Sequence, residues 1–71
     1  MRNPDRLDSF YNELKNIHKN QFPDWRFGQL ILNFLSWHYN IFKTDGFYIE
    51  EKEFLNRFNQ YVEDLKRFKR I

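Results

Sequence analysis

The chain has 71 residues, of which 31% are charged, 21% are aromatic and none is cysteine, and its formal net charge is only +2. A chain of that length is a single domain, residues 1–71, close to the lower size at which a hydrophobic core holds a fold unaided. The lack of cysteine excludes disulfide staples and thiolate zinc sites, so dense apolar packing or a partner subunit must supply the stability.

The first segment is patterned as a helix from Pro4 to about Lys19. Asn3 is a good N-cap, and Pro4 suits the first helical position, where its missing N–H is not needed. Asp5 and Asp8 favour the positive end of the helix dipole. Leu7, Phe10, Tyr11, Leu14 and Ile17 fall on one stripe at helical spacing. Asn20 and Gln21 release the helix, and Pro23 stops it.

A second helix is expected after Asp24, a natural N-cap, ending near Lys43. Seven of the 23 residues from Arg26 to Tyr48 are aromatic. On a helical wheel, Trp37, Leu30, Ile41, Phe34, Phe27, Ile31, Phe42 and Leu35 form a wide apolar sector, which Leu32 and Tyr39 widen further. Only Gln29, Asn33, Ser36, Asn40 and Lys43 are left as a polar wedge. A surface helix needs one apolar stripe, so this helix is expected at the centre of the fold, covered from more than one side. Gly28 in its first turn suggests a close backbone approach or a frayed end.

Thr44-Asp45-Gly46 has turn chemistry, with Gly46 free to take positive φ. Phe47-Tyr48-Ile49 is apolar for a loop. It is expected as a short extended segment held on the core by Phe47 and Ile49. The third helix is then expected from about Glu50 to Phe68 or Lys69, with Phe54, Leu55, Phe58, Tyr61, Val62, Leu65 and Phe68 on one stripe. Glu50, Glu51 and Glu53 in its first turn and a basic last turn suit its dipole. Glu53 with Arg57, and Glu63 with Arg67, are i,i+4 pairs in the favourable order. The expected fold is all-α: a three-helix mini-bundle with a central, mostly buried second helix.

The motifs Pro23-Asp24, Arg26-Phe27-Gly28-Gln29-Leu30, Asp45 and Phe47-Tyr48-Ile49-Glu50 resemble a family of short uncharacterised proteins of bacteria, phages and prophages. That family carries a pattern close to PDxRFGQL, a helix, and FYIED before a last helix. The resemblance spans about residues 3–65, with Glu51 standing where the pattern has Asp. It implies a small all-helical protein of mobile-element origin and no assigned activity.

No catalytic, cofactor or metal constellation stands out. His18 and His38 lack a second histidine or carboxylate at helical ligand spacing, so each is expected as a hydrogen-bonded residue at the core's edge. Ser9, Ser36 and Thr44 have no triad context, and two glycines make no phosphate loop. Glu50, Glu51 and Glu53 are explained by the helix dipole. The chain is therefore read as non-enzymatic, without cofactors or metal. No apolar run reaches membrane-span length, and the start MRNPDRLDSF has no signal-peptide core. A cytoplasmic protein without membrane contact is expected.

Two binding classes remain. Trp37 and Tyr39 diverge by about 160° around the second helix, and two thin helices have difficulty covering both of them and Leu32. With Trp25 and Tyr48, they are the expected protein-binding residues, serving a homodimer or the capture of another protein, as a stoichiometric binder or inhibitor would. The alternative is an accessory nucleic-acid contact through Lys66, Arg67, Lys69 and Arg70. Lys52, Asn56, Arg57, Asn59 and Gln60 would sit on the same exposed side, but Glu53, Glu63 and Asp64 offset the cations there.

Overall fold

The computed structural model describes residues 2–67 and contains three helices: α1 (Arg6–Gln21), α2 (Phe27–Phe42) and α3 (Glu51–Arg67). No strand occurs among the described residues. Phe68, Lys69 and Arg70, named above for the third stripe and the basic tail, lie outside them.

Asn3 caps only the turn that precedes α1, because the N-cap of the helix itself is Asp5, which makes no side-chain hydrogen bond. Asn3 Oδ1 accepts the Asp5 N–H at 2.9 Å. The N–H groups of Arg6, Leu7 and Asp8 each reach back three residues, to Asn3, Pro4 and Asp5. The first turn is thus tighter than α-helical, which places the regular helix two residues later than Pro4. At the other end α1 runs to Gln21, and Phe22 leaves the helix at φ −137°, ψ 51°. The following Pro23 disfavours a helical Phe22, which ends the helix there.

Asp24 does not cap α2. Arg26 holds that position in an extended conformation, and no side chain bonds the first turn. Residues 22–25 close a turn instead, with the Trp25 N–H on the Phe22 carbonyl at 3.1 Å. At its far end α2 closes on Lys43, whose φ of 59° is left-handed and whose N–H donates to the Tyr39 carbonyl. Gly46 takes φ 85°, and the Asp45 carboxylate accepts the Phe47 N–H at 3.0 Å. The segment after it is a turn closed by the Ile49 N–H on the Gly46 carbonyl, not an extended stretch. Ile49 is half-buried and lies against Gly46 rather than on the buried core. Phe47 does not pin anything: tight closure between Gly46 and Ile49 turns Phe47 and Tyr48 outward, 78% and 89% exposed.

The helix shared by both others is α3, which packs on α1 and on α2. Arg6 meets Glu51, Phe10 meets Phe54, and Phe22 meets Tyr61, so α1 and α3 run side by side in the same direction. From the opposite side the Phe34 ring of α2 sits among Phe54, Phe58 and Tyr61, stacked on Phe58 at 4.5 Å. The buried core is Leu14, Phe22, Leu30, Phe34, Phe58, Tyr61, Val62 and Leu65, with His38 also fully enclosed. Four of these eight apolar residues come from α3 and two from α2. The expectation of a mostly buried, central α2 is therefore corrected. A helix can be apolar all round and still be covered on one face only. Here α1 adds one buried side chain, Leu14, and Tyr11, expected on its stripe, is exposed. Burying Phe34 or Phe58 contributes roughly 1.5–3 kcal/mol each.

Candidate protein-binding face of the second helix

His38 and Arg57 fill the space beneath α2. The Thr44 carbonyl can only accept, so His38 Nδ1 carries the proton and donates to it at 3.0 Å. Arg57 can only donate, and its Nη1 lies 2.7 Å from His38 Nε2. The ring is thereby held with Nδ1 as donor and Nε2 as acceptor. Arg57 Nε also pairs with Glu53 at 3.0 Å, and its guanidinium lies 4.1 Å over the Phe42 ring. The Glu53–Arg57 pair was legible at i,i+4 spacing, but Arg57 was expected on the exposed side of the last helix. It turns inward because the imidazole and the Phe42 face give it partners. His38 is likewise fully buried rather than at the core's edge. His18 does lie at the edge, with Nε2 donating to the Trp25 carbonyl at 2.7 Å.

Trp37, the leading expected interface residue, belongs to the core margin. Its indole N–H donates to Asp64 at 2.8 Å, and its ring lies against Phe34, Phe42 and Tyr61. Asp64 also draws Arg67 to 3.8 Å, in place of the expected Glu63–Arg67 pair. Trp25 is half-buried on Phe22, with ring centroids 4.7 Å apart. Tyr48 is exposed, but in the turn before α3, where its ring meets Phe47 edge to face at 4.8 Å.

Leu32 and Tyr39 fit the expectation of surface residues. They are 69% and 57% exposed, and both lie on the side of α2 turned away from α3. Leu35 lies between them at helical spacing but is half-buried and packs partly on the core, so only its outer edge reaches this face, and Gly28 stands one turn before Leu32. A Cβ added at Gly28 would meet no atom within 4 Å, so no close approach inside the chain explains this glycine. The helix carries no Asp, Glu, Lys or Arg from Phe27 to Phe42. The outward face is therefore an uncharged strip with two large apolar side chains standing on it.

At the basic end, Lys66 and Arg67 are exposed, and Arg67 has Asp64 as its partner. The other two cations named for nucleic acid, Lys69 and Arg70, lie outside the described residues. Among the described residues no three metal-ligating side chains gather, and no helix is long and apolar enough to cross a membrane.

Sequence periodicity missed Phe22. It falls between the end of one helix pattern and a proline, outside any stripe, although its own bulk was the available signal. The His38–Arg57 contact also had no signal, because 19 residues separate the partners. No protein-family model, curated protein or solved structure matches the chain.

Proposed function

We propose that the protein is a small non-catalytic protein-binding module, and that its working surface is the outward face of α2 centred on Leu32 and Tyr39. The observation that carries this reading is that the fold does not need those two side chains. The core is complete without them, yet both are large, apolar and exposed on a strip free of charge. Large apolar side chains that leave water on binding are what anchor protein interfaces. A module of that kind acts by occupancy rather than turnover, as an accessory protein or stoichiometric inhibitor does. The phage and prophage resemblance in the RFGQL and FYIE motifs is consistent with that role.

The experiment compares the native chain with a Leu32→Glu, Tyr39→Glu variant in affinity capture from a host lysate. Since both positions are exposed, the variant keeps its helical circular dichroism and its melting temperature within a few degrees. Specific captured proteins are expected with the native chain and are lost in the variant. Identical captured sets from the two chains would remove the support for this surface.

A further inference from the structure

We infer that the occupant of this face is a second copy of the same chain, bound antiparallel, α2 against α2, with Tyr39 of each copy seated over Gly28 of the other. The inference rests on the protein-binding reading of the same surface and names the partner.

Gly28, Leu32, Leu35 and Tyr39 follow one another by four, three and four residues. That is the spacing of a seam on which one helix packs against another. The seam is self-complementary only when reversed. Turning a copy end over end about the midpoint between Asn33 and Phe34 sets Leu32 against Leu35 of the second copy. The same operation sets Gly28 against Tyr39. The open space above Gly28 is a hole, and the exposed phenol ring of Tyr39 is a knob of matching placement. Both pairings repeat twice across one two-fold axis, as an isologous interface requires.

Charge complements the same orientation. The strip itself has no ionic side chain, so a second copy buries no unpaired charge. Its two ends carry Asp24 and Arg26 on one side and Lys43 and Asp45 on the other, all exposed. A parallel pair sets Lys43 beside Lys43 and Arg26 beside Arg26. The antiparallel pair turns Lys43 toward Asp24 of the second copy, and Arg26 toward the negative carbonyl end of its α2. Helix packing through a single face of this length falls below the ~800 Å² per partner of a standard interface, so the association is weak and concentration-dependent.

The test has two arms. In sedimentation equilibrium the native chain is expected to move from monomer toward twice that mass between ~10 µM and ~1 mM, the regime of a small interface. Leu32→Glu stays monomeric over that range, and Gly28→Leu, which fills the hole, weakens the dimer at least tenfold, while both keep their helicity. In the second arm, single cysteines are introduced into the cysteine-free chain. A mixture of Gly28→Cys and Tyr39→Cys chains is expected to oxidise to the mixed dimer. Two Gly28→Cys chains do not cross-link, because eleven residues of helix hold those positions about 16 Å apart. A native chain that remains monomeric through ~1 mM overturns self-association. The difference in captured proteins between native and Leu32→Glu, Tyr39→Glu chains can still stand in that case, so the two failures are distinguishable. Ready disulfide formation between two Gly28→Cys chains overturns the antiparallel register.

Discussion

Arg57 of α3 donates to Nε2 of His38 in α2 at 2.7 Å, closing the only side of a fully buried imidazole that the Thr44 carbonyl leaves open. This contact joins the two helices by polar chemistry beside an apolar core. It also fixes the end of α2, because Thr44 lies just beyond the left-handed Lys43 that terminates it. An unpaired Nε2 at this depth costs the desolvation of a polar atom, while the pair itself contributes a net hydrogen bond to a charged group.

Arg57→Ala is therefore expected to destabilise the fold by about 1–3 kcal/mol in urea unfolding. Arg57→Lys should recover little, since an ammonium cannot span His38, Glu53 and the Phe42 face as a planar guanidinium does. A double-mutant cycle with His38→Ala should show a coupling of about 1 kcal/mol or more. Additive effects of the two changes would mean that the contact carries no energy.

Trp37 and Tyr39 stand two residues apart on α2 and should behave oppositely. Trp37→Ser removes an indole packed on three rings and takes away the N–H that it donates to Asp64. A loss of about 2–4 kcal/mol is expected from the large-to-small change. Tyr39→Ser removes a mostly exposed side chain and should stay within about 0.5 kcal/mol at concentrations where the chain is monomeric. Thermal melts of the two single variants decide this, and equal losses would contradict the placement of both.

The two glycines should also part ways on replacement by alanine. Gly46 sits at φ 85°, and an added Cβ would lie 3.2 Å from Ile49 Cδ1 and 3.6 Å from His38 Cε1. Gly46→Ala is expected to destabilise by about 1–2 kcal/mol from left-handed strain alone. Gly28→Ala has open space and a helical backbone, so it should stabilise the monomer by up to about 1 kcal/mol. Chemical denaturation at low protein concentration reads both signs directly.

The Arg6–Glu51 bridge at 2.7 Å ties the start of α1 to the start of α3. Its hydrogen bond from Arg6 holds the Glu51 carboxyl below its ordinary value of 4.5. A depressed carboxyl contributes stability above its unfolded value and loses it as the pH falls through its folded value. Acid unfolding of the native chain should thus include a component, below pH 4.5, that Glu51→Gln lacks. Burial acts in the opposite range on Tyr61, raising its phenol above the ordinary value of 10.0. Stability should fall as the pH rises beyond 10.0, and Tyr61→Phe should flatten that alkaline limb.

Helix identity was legible in the residues because it depends on local terms. Asn3 caps the turn before α1, Pro23 stops α1, Gly46 takes positive φ, and Phe58, Tyr61, Val62 and Leu65 recur at a period the backbone itself imposes. Each of those statements needs only neighbours within about one helical turn. The choice of α3 over α2 as the shared helix was not legible, since α2 is apolar on more sides than the fold covers. Wheel positions show which side chains can be buried, but not how many neighbours arrive to bury them. Whether Trp37 pointed inward depended on an Asp64 acceptor 27 residues away, and Arg57 depended on a histidine 19 residues away. The sequence by itself determined three helices, their approximate ends and an aromatic core. Only the tertiary structure decided which apolar face stayed in water, because burial is a property of the packed whole and periodicity is a property of each helix alone.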